Sequence, residues 1–420
     1  MAAATFAAAA ALGSAGAPDG VNPQPVHLVR PPAAPLSAMA QLGRLVFFDA
    51  TLSSSGKLSC ASCHSPQHAY GPPNDLSVML GGARLARQGV RAVPSLMYLE
   101  RQPNFSIGPD DAENESATPA PPSGGPAPAV KSAQNTAQSA QNLVPQGGLF
   151  WDGRVNTLQS QALGPLLNPL EMDGGSVARI AAKLRRAGYA PRFVQLFGPA
   201  VFDRARDAVG EALFAVARYQ IEDRLFHPYS SKYDAWLEGK ARLSPAEARG
   251  LALFRDPARA NCAACHLDLP AANGLPPLFT DHQFEALGVP RNPALGANRD
   301  PDYYDLGICG PVRTDMKNAR QYCGMFLTPT LRNVATRHAF FHNGRYHTLA
   351  QVLDFYDFRD TRPQRVYARE KFDDLPPRDR ANVDTTDAPF DRTRGQAPPF
   401  TAAEERDIIA FLNTLTDGYR

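Results

Sequence analysis

The sequence predicts an all-α chain of two domains, and three observations carry that expectation. Apolar residues recur with helical spacing along its 420 residues, and no region is strand-rich. Pro is frequent, at 39 residues, which favours irregular connections between short helices over a large sheet. A Cys-x-x-Cys-His motif occurs twice, as Cys60–Cys63–His64 and Cys262–Cys265–His266, and each copy follows a helical pattern. A chain of this length can fold as two domains, each burying its own core.

The elements follow in order. Met39, Leu42, Leu45 and Val46 fall on one helical face just before the first motif. Residues 207–226 read as a long helix with Val209, Leu213, Val216 and Ile221 as its apolar positions. Ser244-Pro245-Ala246-Glu247 is a capping box with Pro at the first helical position, and Leu251, Leu253 and Phe254 then lead towards the second motif. Thr401 and Glu404 form another capping box, opening a last helix whose buried stripe is Ile408, Ile409, Phe411, Leu412 and Leu415.

Two stretches break the helical pattern. Residues 110–146 are rich in Ala, Pro, Ser, Gly and Gln and carry almost no large apolar groups, so they read as a flexible surface insertion. Residues 359–399 are charged and Pro-rich and read as an extended, irregular excursion. The expected organisation is a leader over 1–30, an N-terminal domain over 31–228 and a C-terminal domain over 229–420, with the boundary inside 227–243. The final helix is a candidate to pack on the N-terminal domain.

A net charge of +2 makes no case for nucleic acid or an anionic membrane surface. Residues 1–17 are Ala-rich and weakly apolar, like the tail of a secretory signal peptide without its basic start; a disordered leader is the other reading. No run of about 20 strongly apolar residues occurs, so no membrane span is expected.

Cys-x-x-Cys-His is the attachment motif of c-type haem. The two thiols add across the haem vinyl groups as thioethers, and the adjoining His can ligate the iron. A zinc site or a thioredoxin-like pair could use Cys-x-x-Cys, but neither explains why both copies end in His. The sequence therefore implies two covalently attached haems. A helix carrying such a motif at its end is how small c-type cytochrome domains begin, so both domains are expected to be cytochrome c-like. Thioether attachment also points to export into a bacterial periplasm. Of the six Cys, only Cys309 and Cys323 remain. In an oxidising compartment they would pair and close a loop of about 15 residues, worth up to about 3 kcal/mol; otherwise they are buried thiols.

The sixth coordination position decides what a haem does, because an occupied iron transfers electrons and an open one binds peroxide or oxygen. The nine His are His27, His64, His68, His227, His266, His282, His338, His342 and His347, and none lies between His68 and His227. His68 follows His64 too closely to cross to the opposite haem face. Met79 is a possible thioether ligand, or a core residue in its Val78-Met79-Leu80 run.

The run Leu149-Phe150-Trp151-Asp152-Gly153-Arg154, followed by Gln161-Ala162-Leu163-Gly164-Pro165 and Asn168-Pro169-Leu170-Glu171-Met172, resembles the bacterial dihaem cytochrome c peroxidase/MauG family. So does Thr328-Pro329-Thr330-Leu331-Arg332-Asn333-Val334 with Phe341-His342-Asn343-Gly344. The resemblance covers most of residues 42–418. It implies that the N-terminal haem reacts with hydrogen peroxide while the C-terminal haem relays electrons. Trp151 matches the indole between the two haems, although by itself it reads as a core residue. Glu171 matches the distal acid that moves a proton during O–O cleavage, where the plain alternative is an exposed Glu at a helix start. Gln161 and Pro165 match distal-pocket positions that shape the cavity and order water.

Three departures place the chain within that family. Conventional members carry a His in the loop after the first motif, and the matching Leu80-Gly81-Gly82-Ala83-Arg84 has none, which implies an N-terminal haem open at rest. Conventional members ligate the C-terminal haem with a Met about fourteen residues beyond the motif His, and counting from His342 reaches Tyr356, as in the MauG-like branch. If Tyr356 is instead a core aromatic, Met316 or Met325 would be the ligand. A family calcium site would use an Asn where this chain has Ala92, with carbonyls at Arg337 and Ala339, so calcium is possible but doubtful.

The resulting expectation is a periplasmic, MauG-like peroxidase-type oxidoreductase. Its iron ligands are His64 on the first haem and His266 with Tyr356 on the second. Its partners are hydrogen peroxide and either a small electron donor (a c-type cytochrome or cupredoxin) or an oxidised protein substrate. A non-enzymatic dihaem electron carrier is the alternative from another class. A gas sensor would need a signalling domain that the sequence does not show.

Overall fold

Helix α1 (Ala38–Phe47) begins at Ser37, whose hydroxyl accepts from Ala40 N at 3.1 Å. Its residues Leu42, Val46 and Phe47 are buried, while Leu45 is 39% exposed and lies off the stripe the sequence suggested. In this computed structural model, residues 20–109 and 143–420 are described. The proposed leader therefore falls largely outside the described residues, as do positions 110–142 of the insertion. Next come α2 (Cys60–Cys63), which is the first haem motif, then α3 (Leu158–Leu167), α4 (Val177–Arg186), α5 (Ala190–Phe197) and α6 (Ala205–Glu222). The long α6 packs against α1, α3 and α4. It buries Val209, Leu213 and Val216, whereas Ile221 is 38% exposed where the helix leaves the core.

The C-terminal half is built from α7 (Lys232–Leu237), α8 (Pro245–Arg255), α9 (Leu349–Phe358) and α10 (Ala402–Asn413). The Ser244–Glu247 and Thr401–Glu404 capping boxes start α8 and α10. Helix α10 packs on α8 and to a lesser extent on α9, so it belongs to its own domain's core and is not applied to the N-terminal domain. The tail beyond it reaches across, where Asp417 accepts from the Tyr98 hydroxyl.

The fold is helix-rich, with three two-stranded antiparallel ribbons among the described residues: β1 (Leu80–Gly81) with β2 (Arg87–Gln88), β3 (Ser106–Pro109) with β4 (Leu143–Gln146), and β5 (Phe284–Glu285) with β6 (Phe326–Leu327). Strands of two to four residues are too short for alternation to reveal them. The pairing of Ser106 with Gln146 removes 143–146 from the insertion and makes them a strand.

Residues 359–399 are irregular, yet much of the stretch up to Phe390 forms a buried wall, while 391–397 are mostly exposed. Val366, Tyr367, Phe372, Leu375, Val383 and Phe390 form an apolar cluster with Val289, Phe355 and Phe358. Arg359 is fully buried among them, donating to Asp360 at 2.7 Å and to Leu287 O at 3.0 Å, with its guanidinium 3.8 Å over the Phe390 ring. Irregular backbone can be buried only when its carbonyls find donors, and Arg supplies several at once. Cys309 and Cys323 form a disulfide, with Cα atoms 5.0 Å apart.

One buried ion-pair network joins the two halves, and a second lies within the C-terminal half against Tyr98 of the N-terminal one. Arg91 makes a two-pronged contact to Asp305, both bonds 2.7 Å, and holds Asp152 with its remaining nitrogen, also at 2.7 Å. Arg332 grips Asp234 at 2.7 and 2.9 Å with both side chains wholly enclosed, and its guanidinium lies 5.0 Å over each of the Tyr98 and Tyr229 rings.

Candidate haem sites

Both motif histidines are held in the same way. His64 Nδ1 donates to Tyr70 O at 3.1 Å, and His266 Nδ1 donates to Phe279 O at 2.9 Å. A backbone acceptor on Nδ1 fixes the tautomer whose Nε2 lone pair suits a metal. Burial pushes His64 down to about 4, with the Arg337 cation adding to the effect, so its imidazole is neutral at pH 7. The thiols of Cys60, Cys63 and Cys262 are each pushed up to about 12, chiefly by burial.

The second motif opens onto a cavity of about 290 Å³ with a largely apolar lining. Cys262, Cys265 and His266 line it on one side, and Leu353 and Tyr356 of α9 face it with Phe390. An apolar chamber meeting two Cys side chains and a carbonyl-anchored His fits a haem. Burial raises the Tyr356 phenol well above its usual range, and nearby Cys262 and Cys265 add to that rise. The Tyr356 ring stacks on Phe390 at 5.5 Å. Met316 and Met325 pack instead with Phe284, Ile308 and Tyr322, outside the cavity lining. The structure thus brings Tyr356, and neither Met, to the second motif.

Glu171 sits beside the first motif, where its charge contributes to raising the Cys63 thiol. Its carboxylate accepts from Asn168 Nδ2 at 2.6 Å. Burial raises Glu171 above the ordinary carboxyl range, while Asn168 and the Arg154 cation pull the other way. The loop in which conventional relatives carry a His is pressed directly onto this residue. Gly82 N donates to Glu171 O at 2.7 Å, and a Cβ at Gly81 would lie 2.2 Å from Leu170 O and 2.5 Å from Glu171 O. Only Gly tolerates that approach.

Gln161 is buried on α3 and lines the cavity. Pro165, four residues on in the same helix, has no N–H to give the Gln161 carbonyl. Trp151 is 9% exposed, lines the cavity, and donates from Nε1 to Ala92 O at 2.8 Å. It stands in a tight reversal where Leu149 N donates to Val155 O at 2.7 Å. Gly153 makes that turn possible, at φ +64°, because a Cβ there would strike the Phe105 and Phe284 rings at 2.8 Å. The cavity lining joins the second motif to Trp151, Gln161 and His68; Cys60, Cys63, His64, Pro165 and Glu171 lie outside it.

A family model described as di-haem cytochrome c peroxidase matches residues 37–242. The methylamine utilization protein MauG of Paracoccus denitrificans is 32% identical over 338 residues, spanning 78% of this chain and 76% of that protein. The chain belongs to the di-haem cytochrome c peroxidase/MauG family. Cytochrome c551 peroxidase of Nitrosomonas europaea is 29% identical over 341 residues, 79% of this chain and 75% of the relative. The crystal structure of the diheme peroxidase BthA from Burkholderia thailandensis superposes with a TM-score of 0.77 at 35% identity, covering 95% of this chain and 94% of that one. As a dihaem peroxidase-family member, the chain is a peroxidase-type oxidoreductase with two haem cofactors and two cytochrome c-like domains. No helix among the described residues is long and apolar enough to cross a membrane.

Membership also brings the interdomain calcium into question, and the residues here do not fit it. Ala92 offers no side-chain oxygen where the resemblance implies an Asn ligand. The Arg337 guanidinium lies against the segments concerned, donating from Nη2 to Val93 O at 2.9 Å and to Ala339 O at 3.3 Å.

Other site residues escaped the sequence reading. Phe390 closes over Tyr356 from the irregular stretch, where no periodicity flags it. His342 is buried, stacked on Phe326 at 3.6 Å, and held near 4 mainly by burial; its Phe-His-Asn-Gly motif was the only available signal.

Proposed function

We propose that this family member is a MauG-like enzyme of the bacterial periplasm, with both haems attached as thioethers. Hydrogen peroxide is taken at the haem held by Cys60, Cys63 and His64. Trp151 links that centre to the haem held by Cys262, Cys265, His266 and Tyr356. The haems supply peroxide cleavage at one iron and storage of oxidising equivalents at the other.

The observation that carries the reading is Glu171, a half-buried carboxyl beside the first motif, next to a glycine-rich loop without a His ligand. Its task is to take a proton from the near oxygen of hydrogen peroxide and return it to the far oxygen, which leaves as water. Burial raises its proton affinity above that of an exposed Glu, the direction such a shuttle needs. Gln161 orients peroxide or water from α3, and Pro165 shapes the wall beside it. Trp151, pinned by its bond to Ala92 O, keeps an oxidisable indole fixed at the junction of the domains. Tyr356 offers a hard oxygen ligand that favours oxidised iron. Electrons then come from a small redox protein (a c-type cytochrome or cupredoxin) or from a residue on a protein substrate.

Stopped-flow mixing of the fully ferric holoprotein with hydrogen peroxide tests this. Direct reaction without prior reduction is the expected result. A requirement for prior reduction would overturn the open N-terminal haem, and two purely low-spin haems by electron paramagnetic resonance would make the protein an electron carrier.

A further inference from the structure

We propose that Arg337 is a built-in cation that fastens the two domains where relatives would use calcium, so that the holoprotein neither binds nor needs that ion. The first argument is space. The guanidinium donates to a carbonyl of the N-terminal domain, Val93 O at 2.9 Å, and to one of the C-terminal domain, Ala339 O at 3.3 Å. An ion bridging these two loops would have to sit where the guanidinium already is, and two cations in such close contact repel strongly.

The second argument concerns donors. Calcium takes six to eight oxygens. The neighbouring carbonyls here are already occupied by side chains of this chain: Ala92 O by Trp151 Nε1 at 2.8 Å, and His338 O by His347 Nδ1 at 2.7 Å. Ala92 N is bonded across the junction as well, to His342 O at 2.7 Å. The residue that would supply a side-chain oxygen is Ala. The tethered guanidinium already bridges two acceptors from a single nitrogen, and it cannot be lost to a chelator.

The inference extends to function, because the Ala92–Val93 strip that Arg337 holds at Val93 O also receives the Trp151 indole at Ala92 O. Arg337 is therefore a positioning residue for the indole.

The test uses the dihaem holoprotein, with calcium chloride as the probe. After equilibration with calcium and desalting, elemental analysis should find no stoichiometric calcium. The Tm and the tryptophan emission should be the same in chelator and in excess calcium. Stoichiometric calcium, or a calcium-dependent Tm, in the unaltered protein would overturn the proposal whether or not any variant folds. Arg337→Met should lower the Tm and shift the tryptophan emission, and an unchanged value of both would also overturn it. The double variant Ala92→Asn/Arg337→Thr should acquire a Tm that climbs with calcium by roughly 3 °C per tenfold excess over Kd. A flat response from that folded variant would show that the guanidinium does not stand in the ion's place. None of these readouts depends on reaction with peroxide, so this inference and the proposed activity fail separately.

Discussion

Glu171→Gln separates chemistry from structure at the first haem. The amide keeps the shape of the carboxyl and leaves an oxygen to accept from Asn168 Nδ2, now 2.6 Å from Oε1. Stability should hardly change, within about 1 kcal/mol, because a neutral group replaces one whose charged form burial disfavours. The lost proton transfer is expected to slow reaction with peroxide by about 10²–10⁴-fold, or about 3–5 kcal/mol of barrier. The pH dependence has a definite sign. The shuttle begins with an ionised carboxylate, so the wild-type rate falls as pH is lowered through the Glu171 pKa. Burial raises that pKa, so the fall begins at higher pH than an exposed Glu would give. Arg154 opposes the rise, so Arg154→Met should move the limb to still higher pH, and the Gln variant should lack it. Because the folded-state pKa is raised, the native protein favours the protonated carboxyl, and this support is lost as pH rises through the folded value. The Gln variant should therefore gain on wild type at neutral pH in thermal unfolding. Single-turnover stopped flow from pH 5 to pH 8 reads all of this. An unchanged rate with an unchanged acid limb would remove Glu171 from the proton path.

Other perturbations probe the remaining parts. Tyr356→Phe removes the proposed oxygen ligand and should convert the C-terminal haem to a high-spin or alternatively ligated form; a near-infrared Met–iron band in the wild type would contradict the assignment. Trp151→Phe keeps an aromatic ring but strands Ala92 O, at a cost of about 1–3 kcal/mol in thermal unfolding. The first haem of that variant should still react with peroxide while the optical response of the second slows, and a wild-type response would rule out the indole as the link. Arg332→Met leaves Asp234 enclosed without its cation and should cost about 3–5 kcal/mol, lowering the Tm by roughly 6–20 °C. A drop of less than about 2 °C in calorimetry would mean that Asp234 needs only its Ser231 contacts.

The sequence was most legible where one local rule acts alone. Ser244 and Glu247, or Thr401 and Glu404, announce a helix start because both halves of the capping bond lie within four residues. The haem motifs are likewise contiguous; of the residues that the resemblance named, Glu171 lies near Cys63, and Trp151 and Tyr356 line the cavity at the second motif. What escaped depends on partners distant in sequence. Phe390 matters because the chain folds back over α9, 34 residues after Tyr356, on irregular backbone whose burial is made possible by Arg359. The β3–β4 ribbon pairs residues across the insertion, and no window along the chain contains both strands. Leu45 and Ile221 are apolar residues at helical spacing that the fold leaves partly in solvent, since spacing gives a face but not its width.

The arrangement also explains how one indole can be kept in register between two domains. The Trp151 indole donates one hydrogen bond and its carbonyl accepts another from Leu327 N at 2.9 Å, while its neighbour Asp152 is fully buried and receives Arg91 and Arg154 on its two carboxylate oxygens. The Asp152 carbonyl receives Arg313 at 2.8 Å, and Arg91 continues to Asp305. Asp305 and Arg313 belong to the C-terminal half, Arg91 and Asp152 to the N-terminal half, so the Trp151 turn is clamped by charges from both sides. Such buried charges add little net stability, because desolvation offsets much of their attraction. Their effect is geometric: removing one partner leaves another charge enclosed and unpaired, so the network resists partial opening. Arg337, without a charge partner among the described residues, bridges the halves through the carbonyls of Val93 and Ala339. If the indole is the link between the haems, this chain holds it in place with covalently tethered cations, and its interdomain geometry should be set by sequence alone.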